Sequence, residues 1–167
     1  MKKLLFMMCL SAALIFAGCS GDDERHNALK AFARSGCKPN VGTEARSTDI
    51  SDFHEDEIVR YEATTDGCLL LYHNNALFCC DTDIKATVSI RERVITIIEY
   101  HTPSTNCICP YDITMKIGPL NENSYTICIY RDFEANMGSS TPQTEFIKIP
   151  IQYSTDLKGE HVVNQAQ

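Results

Sequence analysis

The chain has 167 residues, with 15 basic against 22 acidic side chains, formal net charge −7, nine cysteines and no tryptophan. That length suits one ordinary domain, and the acidic balance argues against nucleic acid or an anionic membrane surface as an electrostatic partner. Cysteine at this frequency points to an oxidising compartment rather than a reducing cytoplasm.

The chain opens with Lys2 and Lys3, an apolar run from Leu4 to Phe16, then Ala17-Gly18-Cys19. A basic start, an apolar core and a small-residue cleavage site make a secretory signal over residues 1–18. The run is too short for a comfortable membrane span. Phe16-Ala17-Gly18-Cys19 resembles the bacterial lipobox, with Phe16 where Leu is usual. The resemblance implies cleavage before Cys19 and lipidation of Cys19. An ordinary signal peptide cut nearby would leave Cys19 a plain thiol. Cys19-Ser20-Gly21-Asp22-Asp23-Glu24 further resembles the acidic export tag of surface lipoproteins of Bacteroidota. What this implies is an outer-membrane lipoprotein exposed at the cell surface. The competing reading is a solvated acidic tether. Processing would remove Lys2 and Lys3 and no acid, moving the formal charge from −7 to −9. Lipid rather than charge would then hold the protein, since two acyl chains anchor stably where one does not.

Residues 19–56 read as a lipid-anchored tether with one short helix. Ala28, Leu29, Phe32 and Ala33 fall on one face at helical spacing. Asp22 or Asp23 is placed to cap its start, and Gly36 sits where a left-handed stop residue belongs. A helix this short is marginal alone, so Cys37 is expected to pin it to the domain. Residues 41–56, rich in Thr, Ser, Asp and Glu, read as a surface loop.

From residue 57 to 155 the texture is that of strands. Ile58 to Ala63 is closed by an Asp66-Gly67 turn signal. Leu69 to Tyr72 and Ala76 to Cys79 read as two strands with an Asn74-Asn75 turn between them. Ala86, Val88 and Ile90 alternate with Lys85, Thr87 and Ser89, giving a half-buried strand. Arg91-Glu92-Arg93 is the expected hairpin tip before the apolar run Val94 to Tyr100. Ile113, Met115 and Ile117 alternate up to Gly118-Pro119, then Tyr125, Ile127 and Ile129. Phe146 to Ile151 is the last strand, marked as an edge by Pro150. Residues 156–167 read as a frayed tail. Seven or eight short strands with Pro/Gly turns predict an all-β, antiparallel β-sandwich, immunoglobulin-like and disulfide-stapled. Leu120-Asn121-Glu122-Asn123-Ser124-Tyr125 resembles the immunoglobulin tyrosine corner, although the usual core Trp is missing.

Beyond Cys19 the disulfide candidates are Cys37, Cys68, Cys79, Cys80, Cys107, Cys109 and Cys128. Seven is odd, so at most three bridges form, and spacing does not select the pairing. Along a strand, Cys107 and Cys109 share a face whereas Cys79 and Cys80 point oppositely. One chemistry is a bridge between Cys79 or Cys80 and Cys107 or Cys109, worth about 3–4 kcal/mol by loop closure. Another is a metal site of Cys79, Cys80, Cys107, Cys109 and His73, suited to zinc or cuprous copper. Against it, structural zinc sites bring cysteines two to four residues apart, and here they are adjacent or alternate. A third is a thiol–disulfide enzyme using Cys107-x-Cys109. A reactive cysteine needs an activating His, and His26, His54, His73, His101 and His161 are scattered singly. Of these, only His73 and His101 are placed to approach the cysteines, and both read as surface or turn residues. Asp81, Asp83 and Asp112 suit calcium, or the more ordinary task of hydrogen-bonding strand ends. The chain carries no phosphate-loop, nucleophile-elbow or zinc-protease motif.

Gly36-Cys37, Asn75-Ala76, Cys79-Cys80, Cys107-Ile108-Cys109-Pro110-Tyr111-Asp112 and Gly118-Pro119-Leu120 through Tyr125 occur in an order that resembles uncharacterised Bacteroidota surface lipoproteins with a Cys-Cys … Cys-x-Cys-x-Tyr-Asp signature. The likeness covers roughly residues 30 to 130. It implies a small extracytoplasmic β-domain and carries over no catalytic residue. The expectation is a binding or accessory module of the cell envelope. It would be no enzyme and use no cofactor, and its partner would be a glycan, a peptide or an envelope protein. Its recognition loops would be 101–106, 118–124 and 136–144, since sandwiches concentrate function in loops.

Overall fold

A computed structural model describes residues 27–38, 55–102, 107–133 and 145–163. The described residues form nine strands in chain order: β1 Leu29–Arg34, β2 Ile58–Ala63, β3 Leu69–Cys79, β4 Ile84–Arg91, β5 Val94–His101, β6 Ile108–Ile117, β7 Asn123–Phe133, β8 Glu145–Tyr153 and β9 Lys158–Val162. They form one sheet in the order β1-β6-β3-β2-β9 and a second in the order β4-β5-β7-β8. Leu69, Leu71, Ile113, Met115 and Ile117 face Ile84, Ile90, Ile95, Ile97, Ile127 and Ile129 across one shared, fully buried core. The expected all-β sandwich is therefore what the chain forms. Every pairing is antiparallel except β5 with β7. Between those two the chain crosses to the other sheet as β6, so it returns in the direction in which it left.

Three expectations are corrected. The short helix over Ala28 to Ala33 is strand β1 on the edge of the first sheet. Its register slips between Leu29 and Ala31, which places Leu29 opposite Ile117 and Phe32 opposite Met115, both core residues. A bulge gives a strand an apolar spacing of three, and that spacing imitates a helix. The Asn74-Asn75 turn is a bulge inside one strand of 11 residues, β3, where the pairing with β6 shifts between His73 and Ala76 and Asn75 takes a φ of 58°. Leu69, Leu71 and His73 point inward before the bulge, Ala76 and Phe78 after it. The frayed tail contains β9, which pairs with β2 from Lys158 to Val162. Gly159 fits there because the Tyr61 ring lies over it, 2.5 Å from where a Cβ would stand.

Other features follow the sequence closely. The β4–β5 hairpin turns at Glu92 and Arg93, both at positive φ, the geometry of a two-residue type I′ turn. Pro150 lies on the edge strand β8. The Tyr125 hydroxyl accepts a hydrogen bond from the Asn121 N–H at 3.3 Å where the chain passes from β6 to β7, between sheets. The expected tyrosine corner is present in that form.

The sandwich has two unlike ends. At one lie Asn27–Ala28 and the connections 64–68, 92–93, 118–122 and 154–157. Register fixes this: Leu29 and Leu69 both pair with Ile117, and Val94 pairs with Thr126. At the other end lie the turn after Cys79 and the departures and returns of segments 35–57, 102–107 and 134–144. Ile84 pairs there with His101, and His101 with Phe133.

Candidate functional site: a cysteine cluster beside a buried charge cluster

Two disulfides close the end that carries the longer segments. Cys37 bonds Cys109 and Cys80 bonds Cys107, with Cα–Cα distances of 5.7 and 5.5 Å. The ladder that aligns β3 with β6 sets Phe78 opposite Cys109 and Cys79 opposite Ile108, and the Cys80 N–H continues it to the Cys107 carbonyl at 2.9 Å. Cys79 and Cys80 do point oppositely: Cys80 is fully buried, whereas Cys79 is half-buried. Cys107 and Cys109 take different partners rather than one. Cys109 reaches Cys37, which the sequence had given no reason to prefer. Cys68 and Cys128, both buried, and Cys79 stand outside the two bridges, so the structure forms two bridges where three were allowed.

The sulfurs of Cys37, Cys80 and Cys109 all lie within 4.8 Å of one another. That set corrects the alternative metal group of Cys79, Cys80, Cys107, Cys109 and His73. Cys79 points away from Cys80, and His73 is occupied elsewhere. Around the cluster, the Tyr111 hydroxyl donates to the Cys79 carbonyl at 3.2 Å. Lys38 reaches Asp112 at 2.6 Å and Asn75 Oδ1 at 2.5 Å, and the Asn75 N–H donates to Asp112 at 3.1 Å. Burial raises the Asp112 pKa, but the Lys38 and Asn75 donors outweigh it and hold the carboxyl below its usual range. Asp83 meets Arg34 at 3.2 Å. Asp112 and Asp83 thus hold strands together, the ordinary task foreseen for them.

Inside the sandwich, beside Phe78, lies a cluster that the sequence did not announce. His73 and His101 are buried, 0% and 9% exposed, rather than on the surface or in turns. His73 Nδ1 stands 2.8 Å from Glu99 and its Nε2 2.7 Å from Glu57. Arg131 also contacts Glu57. Both ring nitrogens face carboxylates, which accept and do not donate, so only the doubly protonated imidazolium satisfies both. Burial disfavours that cation, yet the Glu99 charge and the bonds to Glu57 and Glu99 outweigh burial and the opposing Arg131, raising its pKa from 6.5 to about 9. Two carboxylates against one imidazolium and one guanidinium leave the group neutral. His101 is pushed the other way, by burial and then by Arg131. Phe78 packs edge-on against His101, with ring centroids 5.2 Å apart, and Arg131 lies 5.0 Å above its face.

A fully buried imidazole with both nitrogens engaged is not placed to take a proton from a substrate. What this cluster does is tie β3 of one sheet to β5 and β7 of the other. The alternation Ile95, Ile97, Glu99, His101 was the available signal, because it puts a carboxylate and an imidazole on a core face and so demands buried partners.

Cys19, the acidic run Asp22 to Glu24, His26, His54 and loop residues 103–106 and 136–144 lie outside the described residues. His161 sits on β9. Residues 118–122, which follow Ile117 at the end of β6 where Leu69 begins β3, lie at the opposite end of the sandwich from His101, which pairs with Ile84. Among the described residues no helix is long and apolar enough to cross a membrane. Comparison with protein-family models, curated proteins and solved structures finds no match.

Proposed function

We propose that the chain is a lipid-anchored cell-envelope module, tethered through Cys19 and binding its partner at the disulfide-closed end of the sandwich. The observation that carries this reading is the polarity of the fold. Ala28 is held at the end of tight turns, where its carbonyl accepts from the Gly118 N–H at 2.9 Å. A tether running back from Ala28 to a lipid on Cys19 would therefore leave from that end. The bridges and the longer connections would face away from the membrane. Two covalent bridges give that far end a fixed frame, the usual condition for recognition by loops on a rigid scaffold. Among described residues its exposed rim carries Glu55, Asp56 and Asp81, together with Asp83, which is paired to Arg34, so the rim is acidic on balance. Such a rim favours a basic peptide segment of an envelope protein over an anionic glycan. The acidic run after Cys19 favours the cell surface over the periplasmic leaflet, and binding rather than catalysis is the proposed activity.

Site-specific photocrosslinking in intact cells tests the reading. A diazirine side chain at Glu55 or Thr102 is expected to give a discrete adduct, and one at Glu92 or Glu122 is expected to give none. Adducts only from Glu92 and Glu122, or none from any site, would contradict it.

A further inference from the structure

We infer that Cys37, Cys80, Cys107 and Cys109 form one exchange-coupled disulfide site that oxidises a dithiol of an extracytoplasmic peptide or protein. This goes beyond the binding reading and does not depend on the lipid anchor. Two bridges in one small domain are ordinarily separate staples. Here sulfurs of both bridges share one volume, with Cys37, Cys80 and Cys109 mutually within 4.8 Å. The bridges are also alike in layout. Each joins a half-buried cysteine, Cys107 or Cys37, to a buried one, Cys80 or Cys109, 0% and 2% exposed. An external thiolate therefore meets Cys107 or Cys37 first, and the buried sulfur is the leaving group.

With Cys107 attacked, a bond forms between the incoming sulfur and Cys107 while the Cys80–Cys107 bond breaks, and Cys80 leaves as a thiolate. It leaves beside the second bridge. Attack by Cys80 on Cys37 or Cys109 forms one sulfur–sulfur bond and breaks another, and the displaced cysteine becomes the thiolate, with no net redox change. The substrate's second thiolate then attacks its own sulfur in the mixed disulfide, releasing the substrate as a disulfide and Cys107 as a thiolate. In sum the dithiol loses two electrons and one protein bridge gains them. Because Cys80 moves the remaining bridge, the reduced pair need not be the pair that was attacked.

The test is a Cys107→Ser variant of the full processed chain, acid-quenched, alkylated and mapped as peptides without reduction. Exchange predicts Cys80 in bridges to Cys37 and Cys109 in about half of the chains or more, the displaced cysteine being alkylated. Cys80 fully alkylated beside an intact Cys37–Cys109 bridge would overturn the proposal. Should that variant not fold, the wild type is treated with a small dithiol peptide below stoichiometry and mapped in the same way. Non-native bridges among the four cysteines, together with oxidised peptide, support exchange. Native pairings alone at every stage of reduction, or unoxidised peptide, overturn it. A Cys80→Ser/Cys107→Ser double variant is expected to keep the Cys37–Cys109 bridge whole, showing that Cys80 is the attacking group.

Discussion

His73 is where a single residue has the widest consequence. Its folded-state pKa of about 9 lies above the unfolded 6.5. The stabilisation it brings is thus fully present below about pH 6.5 and is lost as pH rises through about 9. Thermal unfolding should fall in midpoint between neutral pH and about pH 10. In a His73→Gln variant that alkaline step should vanish. The variant should also lose about 3–5 kcal/mol, because two buried carboxylates then share only Arg131 as a cation. An alkaline step that persists in the variant would place the titration elsewhere. Some residues announced themselves in the sequence: Pro150 as an edge marker, Tyr125 as a corner, Asp112 as a strand tie. His73 did not, because its partners Glu57 and Glu99 stand 16 and 26 residues away and are brought to it only by strand pairing.

Among the elements, those with strict alternation were legible and those with bulges or little burial were not. Strands β4, β6 and β7 follow from period-two patterns, while β5, which read only as an apolar run, alternates between half-buried and buried side chains. The register slips in β1 and β3 broke that period, suggesting a helix in one case and a turn in the other. In β9 the side chains alternate between exposed and half-buried, so no apolar pattern existed to read. Its place comes from backbone pairing to β2 and the fit of Gly159 under Tyr61. The β4–β5 turn offers a direct test at this scale. Glu92 and Arg93 stand at φ 49° and 65°, a region costly to most side chains and suited to Asn-Gly. Replacing them as Glu92→Asn with Arg93→Gly is expected to raise stability by about 1 kcal/mol. Chemical denaturation should show a higher midpoint at unchanged slope, and a lower midpoint would mean that the turn is held by contacts of the native side chains.

For the molecule as a whole, the address and the bridges carry the account. In the chain-entropy picture the Cys80–Cys107 loop, with a sequence separation of 27, is worth about 3.5 kcal/mol, and Cys37–Cys109, separated by 72, about 4.5 kcal/mol. The loops are nested, so the two do not simply add. Either is a large share of the ~5–15 kcal/mol that holds a domain. Reductant is therefore expected to lower the unfolding temperature sharply, and a strong chelator to leave it nearly unchanged. The opposite pattern would make the sulfurs metal ligands. That cysteines would staple the fold was legible from their number; that Cys37 would join the cluster was not, since it depends on β1 pairing with β6. The anchor remains the claim on which the orientation of the molecule rests, and metabolic labelling with radioactive palmitate tests it most directly. The wild type should carry label and sediment with membranes, while Cys19→Ser should be unlabelled and soluble. Unlabelled wild-type protein that still sediments with the membranes would contradict the account.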